Sequence, residues 1–148
     1  HADLKGFMYS REDVTGRSLA NGYSQSLGTV FSQEIKPLEV EILVVQAGTN
    51  NYPNEIYRIS FDGSIIDEKN FAVIGGKSEA VQALLKDTSP SQSPALDAAL
   101  KLCVAALEQT ANQKLQPEGL EVAALDRTRT GRKFRRLSVS DVQRILSS

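Results

Sequence analysis

The sequence predicts an α+β fold in which antiparallel sheet is covered by layers of helix. Apolar residues recur at helical spacing in four blocks and alternate in strand fashion between them. The strands come in runs and the helices in a pair, without the regular alternation of a parallel α/β fold. The length of 148 residues suits one domain or a large piece of one, against a usual size of roughly 100–200 residues.

Composition narrows the function. Hydrophobic residues make up 41% and charged residues 24%, which is far from the signature of disorder. A formal net charge of −1 predicts no strong pull toward nucleic acid or an anionic membrane. No apolar run approaches the roughly 20 residues that span a bilayer. The single cysteine, Cys103, excludes an internal disulfide framework and supplies too little sulfur for a structural zinc site, so a reducing, cytoplasmic setting is expected. The opening HADLKGFMYS has no initiating methionine, basic region or apolar core of a signal peptide. An internal fragment is therefore expected.

The first helix is expected to start at Ser10, whose oxygen can cap free N–H groups while Glu12 and Asp13 suit the helix dipole. Leu19, Tyr23, Leu27, Val30 and Phe31 continue it at helical spacing for about 20 residues, until Lys36-Pro37. Gly16, Gly22 and Gly28 each cost about 1 kcal/mol relative to alanine in a helix interior, so this helix depends on tertiary packing. LEVEILVVQA alternates Leu38, Val40, Ile42 and Val44 on one face and becomes apolar on both at Leu43 and Val45, as a strand entering a covered interior does. GTNNYPN turns the chain into EIYRISF, with Tyr57, Ile59 and Phe61 on one face. Asp62-Gly63 is a tight-turn pair, and FAVIG follows as a short buried strand, giving three or four strands in an antiparallel meander.

A short helix capped by Ser78 carries Val81, Leu84 and Leu85. A long one starts at Ser93-Pro94, with proline at the first helical position. Its stripe is Leu96, Leu100, Cys103, Val104, Leu107 and Ala111. QKLQPEG is a loop, LEVAALD a strand, and RTRTGRKFRRL a turn at Thr130-Gly131 into another strand. SVSDVQRILSS closes the chain as a helix with Val142, Ile145 and Leu146 on one side.

Several segments carry letters that chemistry uses. Gly75-Gly76-Lys77-Ser78 lies between strand and helix, where a phosphate can be held, but a P-loop needs a longer glycine-bounded loop and a dinucleotide site a third spaced glycine. The pair reads as a strand-to-helix corner, glycine permitting close backbone approach and positive φ. His1 is the only histidine and sits at the chain end, so a Ser-His-Asp or Cys-His machine lacks its base. Cys103 lies in an apolar stripe and reads as a small core residue. The acids Glu39 and Glu41, and Asp67 and Glu68, could divide acid and base duties if their environments differed; an exposed face is the simpler reading. No cluster has metal-ligand spacing. Arg127, Arg129, Arg132, Lys133, Arg135 and Arg136 form a basic hairpin, either a solvated or subunit-contacting surface or a nucleic-acid module. The near-neutral total charge argues against the latter. Phe134 and Leu137 are its core-facing candidates.

Along nearly its whole length the chain resembles the carboxyl-terminal two-thirds of a proteasome α-subunit of the actinobacterial 20S type. "YRISFDGSIIDEKNFAVIGGKSEA" is similar to that family's strand, Asp-(Pro)-x-Gly turn, strand, Ala-x-(Ile)-Gly and helix. Asp62, Gly63, Ala72, Ile74 and Gly75 fall on the pattern, with Gly76 beside them, as a structural signature. "REDVTGRSLANGYSQSLGTVF" with "KPLEVEILV", and "LEVAALDRTRTGRKFRRLSVSDVQRIL", resemble other parts of the family in the same order.

The resemblance implies an N-terminal-nucleophile hydrolase fold, a four-layer αββα sandwich, here as a single domain over residues 1–148 lacking its upstream tail, first helix and early strands. It implies a noncatalytic subunit with no catalytic, cofactor or metal residues. Such subunits form heptameric rings with other α-subunits, cap β-subunits and gate the entry of unfolded protein substrates. They also dock a ring-shaped ATPase that delivers proteins tagged with a small ubiquitin-like protein. Neither nucleic acid nor membrane is an implied partner. Activator-binding residues are expected upstream of His1. The alternative is a β-type subunit or related hydrolase using an amino-terminal threonine.

Overall fold

The computed structural model describes residues 2–8, 10–49, 52–88 and 94–148. The chain divides into two compact units, residues 1–74 and 75–148. Each contains both helix and sheet, as the α+β expectation requires.

The first unit opens with helix α1 (Ala2–Met8), a segment in which no apolar period had marked a helix. Ser10 caps only a single 3-10 turn, Arg11–Asp13. The long helix α2 (Gly16–Gln33) starts afresh behind a capping box at Thr15. The Thr15 hydroxyl accepts from the Ser18 N–H at 3.1 Å and the Ser18 hydroxyl accepts from the Thr15 N–H at 3.2 Å. This reciprocal satisfaction of two orphan donors outcompetes the lone serine at position 10. The helix ends at Gln33, short of Lys36-Pro37, because Glu34 is already extended.

Strands β1 (Ile42–Gln46), β2 (Glu55–Ile59) and β3 (Ile65–Glu68) form an antiparallel meander in the order β1-β2-β3. Val44 faces Tyr57, and Tyr57 faces Asp67. Helix α2 lies across one face, where Ala20, Leu27, Val44, Tyr57 and Ile59 form the core with Leu19 and Ile42. Burying a leucine-sized side chain contributes about 1.5–3 kcal/mol, enough for Leu27 to offset the interior glycines of α2. The opposite face carries Leu43, Val45 and Ile66, all exposed. Leu38 and Val40 precede the strand and are exposed too. FAVIG is not a strand. Asn70 takes φ 57° and turns the chain out of the sheet, so Phe71–Ile74 have no ladder among the described residues.

In the second unit, helix α3 (Ser78–Thr88) buries Val81 and Leu85 and packs on α4 (Leu96–Ala111). Ser78 is its first helical residue and not its cap, since the Val81 N–H reaches the Lys77 carbonyl. Helix α4 has Ala95 as N-cap, which puts Pro94 before the cap; Ser93 lies outside the described residues. Left-handed Asn112 ends the helix. Strands β4 (Ala123–Leu125) and β5 (Phe134–Arg136) make a two-stranded antiparallel sheet, and helix α5 (Val139–Ser147) closes the unit. Leu100, Val104, Leu137, Val142 and Ile145 form its core, with Leu96, Leu120, Val122, Ala124 and Leu146 around them.

Several residues expected on apolar, core-facing stripes are exposed, among them Tyr23, Phe31, Phe61 and Leu107, and two more are Cys103 and Phe134. Cys103 is exposed, because the buried line of α4 runs through Leu100 and Val104 and its second buried side through Ala106. Phe134 is 46% exposed while Leu137 is buried. Three residues apart, they cannot share a strand face, and β5 ends between them.

Candidate functional site

Of the six signature residues, Asp62 and Gly63 sit in the most constrained position. The Gly63 N–H donates to the Ser60 carbonyl at 2.9 Å, and the Ser60 N–H to the Ser64 carbonyl at 3.0 Å, closing the β2–β3 turn. One Asp62 carboxylate oxygen accepts from the Ser64 N–H at 2.9 Å and its hydroxyl at 2.7 Å. These two bonds, the backbone one first, hold the Asp62 carboxyl below its ordinary value of 3.8.

Gly63 has φ 87°, and a Cβ there would lie 2.6 Å from the Ser24 carbonyl oxygen and 2.9 Å from the Gly28 Cα. The Ser24 hydroxyl donates to the Gly63 carbonyl. The turn is thus seated on α2 at a helix position that itself lacks a side chain. The sequence did hold a signal for this, since Gly28 stands in a helix interior without local benefit.

The double glycine is a looser feature. Gly75 has φ 110°, yet a Cβ on Gly75 or Gly76 would meet nothing within 4 Å. Only the positive φ of the expected corner is present; the close approach belongs to Gly63. The Gly75 carbonyl accepts from the Ser78 N–H at 3.2 Å, and the Lys77 ammonium donates to the Thr110 carbonyl at 3.1 Å, so these groups are engaged within the unit. Ala72 is half-buried and Ile74 37% exposed.

Three of the four acids weighed for acid–base chemistry, Glu41, Asp67 and Glu68, lie against cations. Arg58 reaches Glu68 at 3.0 Å and Glu41 at 3.7 Å, and Asp67 lies 3.7 Å from Arg17. Arg17 also stacks 5.3 Å from the ring centroid of buried Tyr57. Burial, then the Glu55 carboxylate, pushes the Tyr57 hydroxyl above 10.0, which leaves it neutral. Cys103 is exposed as a residue, but partial desolvation raises its thiol above 9.0. This is the opposite of an activated thiolate. His1 lies outside the described residues.

A shallow concavity of about 410 Å³ between α4, the 114–117 segment and α5 is lined by Val104, Leu115 and Leu146 with Lys101 and Glu108. The Glu108 carboxylate accepts from Lys114 at 2.7 Å and the Leu115 N–H at 2.9 Å, which lowers its pKa. It is a fixed structural anion. Among the described residues, no group of three or more His, Cys, Asp or Glu could hold a metal ion, and no helix is long and apolar enough to cross a membrane.

The basic hairpin is ordered by its own bonds. The Asp126 N–H donates to the Lys133 carbonyl at 2.9 Å, and the Asp126 carboxylate accepts from the Thr128 hydroxyl and N–H at 2.6 and 3.0 Å. Gly131 turns the tip with φ 75°.

Comparison with known proteins gives these features a family. Residues 1–125 match the family model described as proteasome subunit. The chain is 44% identical over 99% of its length to the proteasome subunit alpha of Saccharomonospora viridis, covering 60% of that protein. It is 46% identical over 91% of its length to that of Frankia casuarinae, covering 59%, and 43% identical over 99% to that of Thermomonospora curvata, covering 64%. It spans about 60% of the length of these relatives. These three α-subunits are actinobacterial, and the chain belongs to the proteasome subunit family.

Proposed function

We propose that this chain is part of a noncatalytic α-ring subunit of a 20S proteasome core. In this reading, heptameric outer rings of such subunits assemble with β-subunits, gate the entry of unfolded protein and dock a ring-shaped ATPase that feeds tagged proteins into ATP-dependent degradation in the cytoplasm. The observation that carries it is the collinear similarity to proteins named proteasome subunit alpha across 99% of the chain.

The reading includes a fold finer than α+β: one proteasome-type domain with four αββα layers. Leu43, Val45 and Ile66, exposed on the face of the meander away from α2, support it, since a sandwich sheet presents such a face to a second sheet. Asp62, Gly63, Ala72, Ile74, Gly75 and Gly76 act in it as a structural signature and take no part in chemistry.

The test is reconstitution of full-length protein with its β partner. Stacked rings visible by electron microscopy are expected, with peptidase activity that disappears when the β threonine nucleophile is replaced. Activity that survives that replacement and vanishes on changing this chain would overturn the assignment in favour of a threonine hydrolase.

A further inference from the structure

Charge is unevenly distributed along this chain. Of its 17 lysines and arginines, six lie in the ten residues 127–136, which contain no acid. Eighteen acids against the remaining cations leave everything else strongly negative. Such a segregated field steers charged partners toward one surface.

The hairpin also has a face. Along residues 132–136 exposure alternates, with Arg132, Phe134 and Arg136 outward and Lys133 and Arg135 half-buried. Arg132 just precedes β5 and Arg136 ends it, so their backbones are at most about 14 Å apart with Phe134 between them. The middle of this row is apolar, because Phe134 pairs across the sheet with Leu125, and the two are 46% and 37% exposed. Arg132 rests against the Phe134 ring, 5.7 Å from its centroid, and makes no ion pair among the described residues. Arg136 meets Glu121, but both side chains are more than half exposed, 62% and 84%. A pair that open is worth little and exchanges readily.

We propose that the Arg132–Phe134–Arg136 row is a docking surface for an extended acidic segment of a partner protein, with two carboxylates four residues apart flanking an apolar side chain. Arginine's planar fork suits bidentate carboxylates, and the Phe134–Leu125 patch takes the residue between them. Nucleic acid fits less well. Single-strand binding relies on several aromatic platforms along a basic groove, whereas this row offers one ring, part of whose surface Arg132 already occupies.

Full-length protein is titrated, by fluorescence anisotropy at about 50 mM salt, into a labelled peptide repeating Glu-Ser-Leu-Ser-Glu. Its Gln-for-Glu counterpart and a single-stranded oligonucleotide of similar length are titrated in parallel. Saturable binding of the Glu peptide is expected, weakened at least about tenfold by raised salt, by the Gln substitution and by R132E/R136E. The F134S variant is expected to weaken binding with less effect on its salt dependence. Equal binding of the Glu and Gln peptides, no binding, or tighter binding of the oligonucleotide overturns the proposal. If the charge-reversed variant fails to fold, the three-probe comparison on the wild-type protein still decides. None of these readouts depends on ring assembly.

Discussion

At Gly63, a backbone with φ 87° coincides with backbone atoms 2.6–2.9 Å from where a Cβ would stand. Neither Ser24 nor Gly28 can yield without moving α2. At Gly75 the φ of 110° is equally foreign to L side chains but the space is open, and Gly76 has neither constraint. The three glycines therefore separate on alanine substitution. Gly63→Ala is expected to cost more than about 2 kcal/mol, combining backbone strain with displacement of the helix. Gly75→Ala costs about 1–2 kcal/mol from strain alone, and Gly76→Ala stays within about 0.5 kcal/mol. Denaturant melts of the three variants in the full-length protein would check the order, and a Gly75→Ala variant less stable than Gly63→Ala would contradict it. The sequence marked all these residues but misplaced the tight contact, because close approach depends on what lies across the fold. The partner of Gly63 is 35 residues upstream at Gly28 and invisible to a local pattern.

At the scale of elements, legibility followed period and failed at termini. The face of α5 was readable because Val142, Ile145 and Leu146 keep helical spacing, and the β2–β3 hairpin because Asp62-Gly63 sits between alternating residues. Strand FAVIG was apolar enough to mislead; strand status needs a ladder partner, which composition does not supply. The break before α2 is not legible in apolar spacing, because it is set by the reciprocal Thr15–Ser18 bonds, which leave no mark on the hydrophobic period. Helix α5 has the same device. The Ser138 hydroxyl accepts from the Asp141 N–H at 3.2 Å and donates to the Asp141 carboxylate at 2.7 Å. With the Ser138 N–H, that bond holds the carboxyl below 3.8. A depressed carboxyl contributes stability above its unfolded value that is lost as pH falls through the folded value, so the contribution disappears in acid below pH 3.8. Ser138→Ala is expected to cost about 1 kcal/mol at neutral pH and less in acid, where the protonated Asp141 has already weakened the box. Thermal melts of wild type and variant at both pH values test this; a difference that grows in acid would refute the assigned bond.

For the whole molecule, the first unit covers only one face of its sheet. Tyr57 and Ile59 are at 2% and 0% exposure under α2, whereas Val45 and Ile66, on the other face, are at 48% and 41%. Leu4, Phe7 and Met8 of α1 are more exposed still. Apolar surface on this scale is what monomeric proteins avoid and what associating surfaces carry. Open strand edges add unpaired backbone groups that template aggregation. The 148-residue chain expressed alone is therefore expected to bind a hydrophobic dye and to elute as a heterogeneous oligomer. Replacing Val45 and Ile66 with threonine, which keeps strand propensity, should reduce both effects without unfolding the meander, whose core lies on the other side. If the wild-type chain instead runs as a dye-negative monomer with one cooperative thermal transition, these faces are covered from within. The exposed side of the meander would then cease to support a second sheet packed against it.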